Sequence, residues 1–106
     1  MAENVFVEQN TLRISGILEK QFPPRVSPAG VAHQDILLQH RSRQLEAGVM
    51  REARLVLTVH LAGELVGQAR DFSPGDRIVV SGFLAPASYR ESEKLVLHAQ
   101  TLNRQD

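Results

Sequence analysis

The 106-residue sequence contains no cysteine and no tryptophan, and tyrosine occurs once. The absence of cysteine excludes disulfides, thiolate catalysis and cysteine-based zinc sites, and it fits a reducing compartment. No apolar run approaches the ~20 residues that a membrane-spanning helix needs. The first residues also lack a basic segment followed by an apolar core, so no secretory signal is predicted. We therefore expect a cytoplasmic protein that does not enter a membrane.

The sequence also lacks an excess of either charge, because twelve lysines and arginines balance twelve aspartates and glutamates. Domains that bind nucleic acids usually carry a basic excess, so this balance argues against such a role. The charge is unevenly distributed, however, since residues 20–54 hold six basic and three acidic side chains. Salt screens exposed charges beyond roughly 8–10 Å, so a local basic excess matters more than the total for capturing an anion.

Motifs for catalysis or cofactor binding are missing as well. There is no glycine-rich phosphate loop, no Ser/His/Asp order and no pair of carboxylates at a recognisable spacing. The four histidines lie in separate segments without the spacing of metal ligands, which favours structural or surface roles for His33, His40, His60 and His98. The sequence predicts a protein that is not an enzyme and that uses no metal, cofactor or small-molecule substrate.

Alternating apolar and polar residues predict five strands, joined by segments that hold proline, glycine and polar residues. Gly16 interrupts the first alternation and indicates a bulge or a sharp bend, as at the corner of a barrel. An amphipathic segment from Leu61 to Phe72 predicts a short helix between the third and fourth strands. The predicted strands are Thr11–Lys20, His33–Arg43, Arg51–His60, Arg77–Ala85 and Lys94–Asn103.

This order of three strands, a helix and two strands is that of the OB-fold, a five-stranded, partly open barrel. We predict an all-β, single-domain OB-fold over residues 1–106, in which residues 1–9 form an N-terminal arm. The loop Gln21–Val31 joins the first two strands, and Gln44–Met50 joins the second to the third. The first, fourth and fifth strands carry apolar residues on both faces, whereas one small barrel has a single interior. The additional apolar face predicts a homodimer.

Basic side chains cluster on the strand ends and loops that border the groove of an OB barrel. They come from the first loop, the second and third strands, and the loop between the fourth and fifth strands. Such groups would neutralise the phosphates of a nucleic acid strand and release its counterions. The alternative is that they are ordinary charges on solvated strand faces. The candidates are Lys20, Arg25, Arg41, Arg43, Arg51, Arg54, Arg90 and Lys94.

Aromatic rings on which bases would stack are few. Tyr89 stands beside Arg90 in a polar loop and is the best candidate for stacking. Phe22 lies in the proline-rich loop and either caps the barrel or faces the groove. Phe72 is predicted in the core, and Phe83 in the core or at a subunit contact. With so few rings, binding should depend on charge and weaken steeply as salt rises.

Four pieces of the chain resemble the bacterial primosomal replication protein N (PriB) family, a relative of single-stranded-DNA-binding proteins. The resemblance covers about residues 11–103 and is carried by LRISGILEK, RVSPAGVAHQDILLQHRSRQLEAG, SPGDRIVVSGFLA and KLVLHAQTL. It implies an OB-fold homodimer that binds single-stranded DNA without catalysis. It also implies a role in replication restart at stalled forks, as an accessory protein that stabilises the PriA helicase on DNA and recruits DnaT.

The resemblance extends to individual site residues, and it includes departures from the family. The family's basic contacts correspond here to Lys20, Arg25, Arg41 and Arg51. The best-known member has a stacking tryptophan where this chain has Arg54, and an aromatic residue where it has Val49. The lysine-rich loop of that member is here ASYRESEK, which includes two glutamates. These departures imply weaker or more salt-sensitive DNA binding.

Two other functions stay open at this point. The balanced charge and the acidic loop favour an OB-fold scaffold for proteins of the replisome, with weak or secondary nucleic-acid binding. The residues themselves do not distinguish DNA from RNA, because recognition of the ribose 2′-hydroxyl has no sequence signature here.

Overall fold

The computed structural model describes residues 7–88 and 90–106. Most of the predicted N-terminal arm, residues 1–6, lies outside the described residues, as does Tyr89. Alternation of apolar and polar side chains gives long strands, and the described chain is built almost entirely from them. The elements are β1 (Leu12–Gln21), β2 (Arg25–Val26), β3 (Ala32–Glu46), β4 (Val49–Ala62), α1 (Glu64–Gln68), β5 (Arg77–Pro86) and β6 (Leu95–Arg104).

The five long strands close into one barrel. β1 pairs with β5, β5 with β6 and β3 with β4, all antiparallel, while β4 and β6 meet in parallel. A further antiparallel pairing of β1 with β3 closes the ring. The two-residue strand β2 lies inside the predicted first loop and pairs with the start of β3. The predicted five-stranded OB-fold barrel is therefore confirmed.

A sharp bend in β1 makes this closure possible. Ile17 is the point at which β1 changes partner, because it pairs with Arg77 of β5 on one side and with Gln39 of β3 on the other. Gly16 precedes this point, and a Cβ there would collide with the backbone carbonyl of Gln39. The register between β1 and β3 then shifts between Leu18 and Lys20. The prediction of a barrel corner at this glycine is confirmed.

The core fills the inside of the barrel with one residue in two from each strand. In an antiparallel pair, residues opposite each other share a face, so Ile36 faces inward with Val59 and Leu38 with Leu57. The largest fully buried side chains are Leu18, Ile36, Leu38, Leu61, Ile78, Leu97, Val59 and Val80. The residues between these core positions on the same strands consequently face outward, and they carry the candidate site.

The segment between β4 and β5 is less helical than predicted. Leu61 belongs to β4, and the helix α1 is followed by a 3-10 turn over Ala69–Asp71. Gly63 precedes α1 with a φ of 67°, and Gly67 weakens the helix from within. Val66 and Ala69 are buried against the core, so the segment covers one end of the barrel. The prediction of a continuous helix over 61–72 was too long.

Beyond the barrel, β3 and β4 continue as a two-stranded hairpin arm, residues 41–54. The register runs without a shift from His33↔Ala62 to Glu46↔Val49. Ala47 and Gly48 form the turn with φ of 53° and 81°, which suits the two-residue hairpin turns that need positive φ at both central positions. Ala47 and Gly48 suffice to reverse the chain, so the predicted connection Gln44–Met50 was too long.

Candidate nucleic-acid interface

The outward-facing residues of β3 and β4 form one continuous surface, which we call the outer face. Each outward residue of β3 has an outward partner on β4, from one end of the barrel into the hairpin arm. The pairs are Asp35↔His60, Leu37↔Thr58, Gln39↔Val56, Arg41↔Arg54 and Arg43↔Glu52. The outer face thus carries imidazole and carboxylate groups at one end and guanidinium groups at the other.

Two of the predicted arginines are held together by a carboxylate on this face. Glu52 accepts from Arg41 Nη2 through Oε1 at 3.3 Å and from Arg54 Nε through Oε2 at 2.8 Å. A guanidinium has five N–H donors, so each arginine keeps donors for another ligand. Both side chains are exposed. Arg43 lies on the same face, and within the described residues it takes part in no ion pair.

Arg51 does not join this group. Arg51 pairs with Gln44, and the next pair on the same face of the two strands is Ser42↔Ala53. Further steps of two residues along each strand lead to the core pair Leu38↔Leu57. Arg51 therefore points to the opposite face of the hairpin arm, where its Nη1 donates to Glu46 Oε1 at 2.7 Å. The expectation that Arg51 converges with Arg41 in one channel is wrong, because odd and even positions of a strand face opposite sides.

The end of β1 and the first loop bring two more predicted cations to the barrel end of the outer face. Lys20 pairs with the outward residue Leu37, and its Nζ lies 4.6 Å from the centroid of the Phe22 ring. Arg25, in β2, pairs with His33 at the start of β3. The structure thus places Lys20 and Arg25 next to the outer face, as expected for side chains that border an OB groove.

A depression of about 350 Å³ lies at this end of the outer face. We call it the histidine depression. It lies between the first loop, the start of the β5–β6 loop and the outward residues of three strands, which is where OB-folds bind nucleic acids. The residues that define it are Arg25, Ser27, His33, Asp35, His60 and His98.

The histidines of this depression form an ordered stack. His60 Nδ1 lies 2.8 Å from Asp35 Oδ1 and donates to it, and His60 Nε2 and His33 Nδ1 share a hydrogen bond of 3.0 Å. The His33 and His60 rings stack with centroids 5.2 Å apart. The His98 ring stacks on Phe83 at 5.1 Å with an interplanar angle of 5° and contacts His60 edge-on. Four rings therefore follow one another across the surface.

This stack was not predicted from the sequence, in which the histidines are scattered. The register nevertheless aligns Asp35, His60, His98 and Phe83 in one row across four strands. Phe83 is 37% exposed, so the core, one of the two positions predicted for it, is wrong, and the other, a subunit contact, stays a prediction. The alternation of β3 and β4 would have placed His33 and His60 outward. The pairing of β4 with β6, which brings in His98, is not visible in the sequence.

A second depression, of about 450 Å³, lies where the hairpin arm leaves the barrel. We call it the arginine depression. Arg41 and Arg54 line it together with Arg77, which was not among the predicted residues. No sequence pattern indicates that these arginines meet, because Arg77 begins β5 and comes next to β3 only through the bend of β1.

The β5–β6 loop contributes less positive charge than its sequence suggests. Lys94 Nζ lies 2.8 Å from Glu91 Oε2, so this predicted cation is paired. Arg90 is exposed and its backbone N–H donates to Ser88 Oγ at 3.2 Å. The predicted stacking residue of this loop, Tyr89, is outside the described residues and stays a prediction.

Two kinds of feature are absent from the described residues. Among residues 7–88 and 90–106, no group of three histidine, aspartate or glutamate side chains is arranged to hold a metal ion. Within the same residues, no helix has both the length and the apolar character to cross a membrane.

Comparison with known proteins agrees with this geometry. A model described as another single-strand binding protein family matches residues 10–101. Replication restart protein PriB of Photorhabdus laumondii is 39% identical over 95 residues, which are 88% of this chain and 90% of that protein. This chain belongs to the PriB family. PriB of Actinobacillus succinogenes is 33% identical over 102 residues, which are 92% of each chain.

Solved structures share the barrel. PriB from Ralstonia solanacearum matches with a TM-score of 0.82 and 25% identity, over 93% of this chain and all of that one. The single-stranded DNA binding protein of Thermus aquaticus matches with a TM-score of 0.72 and 24% identity, over 92% of this chain and 50% of that one. The second likeness shows the fold alone. The first likeness supports the resemblance to PriB that the sequence motifs indicated.

Proposed function

We propose that this chain binds single-stranded DNA as a non-catalytic accessory protein of the replication-restart primosome, where it stabilises the PriA helicase on DNA and recruits DnaT. The observation that carries DNA binding is the outer face. From His33 to Arg43 it extends about 30 Å along β3, with stacked rings at one end and guanidinium groups at the other. Stacking platforms and cationic grooves are the two parts of a site for single-stranded nucleic acid.

The chemistry divides between the two ends of this surface. Guanidinium groups of Arg41, Arg43 and Arg54 would contact phosphates, since they are exposed and keep free donors. Rings of the histidine depression would stack on bases, and such stacking does not depend on the base sequence. Arg25 at the rim adds a phosphate contact beside the rings. A strand lying along β3 would use both ends.

The test is a fluorescence-anisotropy titration of a labelled oligo-dT at two salt concentrations. Because each neutralised phosphate of a single strand contributes about −0.7 to the slope of log K against log salt, the slope counts the contacts in use. We expect saturable binding that weakens as salt rises. A titration without saturation at the lower salt concentration would contradict the proposal. An oligo-rU arm tests whether RNA binds as well.

The proposal that PriA and DnaT are partners rests on family membership. Addition of PriA and then DnaT to the DNA complex should raise the anisotropy in two steps, and absence of both steps would contradict that part of the proposal. Bacterial replication takes place in the cytoplasm, so the role also places this chain there.

A homodimer is part of the same proposal. Residues 12–16 of β1 pair with β5, and among the described residues the pairing on the other side of β1 begins only at Ile17. This leaves backbone groups on one strand edge for a second copy. Sedimentation equilibrium at micromolar concentration should give the mass of a dimer, and a monomer would contradict this.

A protein-interaction scaffold is the second candidate. The observation that favours it is the pairing of predicted cations with carboxylates: Glu52 with two arginines, Glu46 with Arg51, and Glu91 with Lys94. Such pairs reduce the positive field that a phosphate would meet. Helicase binding without any DNA binding in the titration above would select this candidate.

A further inference from the structure

We propose that the histidine depression takes up one proton when single-stranded DNA binds, and that His33, His60 and Asp35 hold this proton as one hydrogen-bonded chain. We call these three residues the proton chain. The inference rests on the proposed function and adds a form of regulation to it, because DNA affinity then depends on pH.

The proton chain links a carboxylate to an open ring nitrogen through two imidazoles. His60 Nδ1 lies 2.8 Å from Asp35 Oδ1, and His60 Nε2 lies 3.0 Å from His33 Nδ1. An ionised carboxylate only accepts hydrogen bonds, so His60 Nδ1 carries a proton. Three of the four ring nitrogens are thus in use. The fourth, His33 Nε2, has no partner within the described residues and is open to solvent.

These bonds allow the proton chain to gain one proton and no more. While both rings are neutral, each carries one proton, so the bond between the rings uses the proton of His33 and leaves its Nε2 as an acceptor. One further proton on His33 Nε2 keeps both bonds and turns this nitrogen into a donor. A second further proton would set two N–H groups against each other across the 3.0 Å between the rings.

The added proton removes a charge that opposes DNA. Within the described residues, Asp35 is the only acidic side chain that lines the depression, and it gives the proton chain one net negative charge while both rings are neutral. With one more proton the chain has no net charge. His33 Nε2 becomes a donor at the same time, which suits the phosphate and thymine oxygens of the ligand, since these are acceptors.

Arg25 couples the proton to DNA. It pairs with His33 across β2 and β3 and lines the same depression. In the free protein, its positive charge opposes a second positive charge on His33. A phosphate bound to Arg25 neutralises that charge and brings a negative potential to the depression. Lys20, at the end of β1, lies against the Phe22 ring nearby and acts in the same direction.

The other elements around the depression offer no second place for the proton among the described residues. β6 brings His98, whose ring contacts His60 edge-on, but His98 Nε2 is buried without a partner, so a proton there would find no acceptor. β4 adds no charged side chain besides His60, and β5 adds none. The β5–β6 loop lines the depression with Ala87, and Glu64 of α1 does not line it.

The test measures DNA binding as a function of pH at constant salt. The ligand is oligo-dT, because neither thymine nor a phosphodiester changes charge in the range where histidine titrates. Anisotropy titrations between about pH 6 and about pH 8 give the slope of log K against pH, which counts the protons taken up. Calorimetric titrations in two buffers with different ionisation enthalpies, at one pH, give the same number independently.

Three variants identify the groups involved. His33→Phe keeps a ring for stacking and removes the open nitrogen. Asp35→Asn keeps an acceptor for His60 Nδ1 and removes the negative charge. The control is Asp71→Asn, which alters the net charge equally, because Asp71 is exposed on the turn after α1 and lines neither depression. Melting curves show that each variant is folded at the temperature of the titration.

We expect the parent protein to bind oligo-dT about fivefold more tightly at about pH 6 than at about pH 8, with a fraction of one proton taken up near neutral pH. Asp71→Asn should behave in the same way. His33→Phe should bind equally well across this range and take up no proton. Asp35→Asn should bind at the higher pH nearly as tightly as the parent does at the lower pH, because the opposing charge is already absent.

Three results would overturn the inference while the proposed function stands. One is saturable binding by the parent with the same affinity at each pH and the same enthalpy in both buffers. Another is a pH dependence that persists in His33→Phe or that is lost equally in Asp71→Asn. The third is a slope steeper than about −1, which would require more than one proton. A parent protein that does not bind at any pH would refute the proposed function and this inference together.

Discussion

The two ends of the outer face differ in how their functional groups are held. At the histidine depression, partly buried rings are fixed by hydrogen bonds to Asp35 and by stacking on one another. At the arginine depression, exposed side chains are oriented mainly by one carboxylate. Rings held by their neighbours suit bases, which need a defined surface, and exposed guanidinium groups suit phosphates, which recur along any strand. The same pair of strands therefore presents two kinds of recognition.

The largest expected effect is on stability, and it comes from the bend of β1 beside the arginine depression. In Gly16→Ala, the new Cβ collides with the Gln39 carbonyl, so β1 and β3 must separate. We expect the free energy of unfolding to fall by about 3 kcal/mol. Urea denaturation measures it. Gly67→Ala is the matched control, because its Cβ meets nothing within 4 Å and removal of a helical glycine should stabilise by about 0.5–1 kcal/mol. A Gly16→Ala protein as stable as the parent would contradict the close approach.

The second effect separates the two faces of the hairpin arm. Arg41→Ala combined with Arg54→Ala should weaken oligo-dT binding about 20-fold and reduce the salt slope by about 1.4. The control is Arg51→Ala combined with Arg70→Ala, which changes the net charge equally but leaves the outer face intact. Anisotropy titrations at two salt concentrations measure both. Equal losses for the two double variants would show that total charge, and not the outer face, governs binding.

The third effect concerns the rings. His33→Ala should weaken DNA binding by about 1 kcal/mol, which is about fivefold, without altering the salt slope, because stacking releases no counterions. His33→Phe keeps a ring and loses the hydrogen bond to His60. Near-complete recovery in this variant would assign the effect to stacking. A loss of the same size in both variants would assign it to the hydrogen-bonded chain.

The smallest effect tests the carboxylate of the arginine depression. Glu52→Gln removes a negative charge and keeps an acceptor for Arg41 and Arg54. Exposed ion pairs contribute little to stability, so the melting temperature should stay within the error of measurement. DNA affinity should rise about two- to threefold at low salt and return to the parent value as salt rises. A lower affinity would show that orientation by the carboxylate outweighs its charge.

Periodicity in the sequence was sufficient for the fold and insufficient for the site. Alternation and turn residues placed the five strands, and Gly16 marked the corner, because these signals are local. Arg51 was assigned to the wrong face although alternation alone separates it from Arg54. The predicted helix was too long because the helical spacing of its apolar residues was given more weight than Gly63 and Gly67, which limit the observed helix.

The residues that were missed depend on contacts between distant strands. His98 meets His60 through the parallel pairing of β4 with β6, and Arg77 meets Gln39 through the partner change of β1. No local pattern encodes which strands become neighbours or in what register. The resemblance to the PriB family supported the barrel, yet it did not place these particular side chains.

The unbroken register of the hairpin arm limits how this protein can change during evolution. Insertion of a single residue into β4 between Arg54 and Thr58 would exchange inside and outside for everything beyond it, and would turn Arg54 away from Arg41. Loss or gain of two residues in each strand would preserve every orientation. The reach of the arm is therefore free to vary among descendants in matched, even steps, while odd steps remove its cationic surface at once.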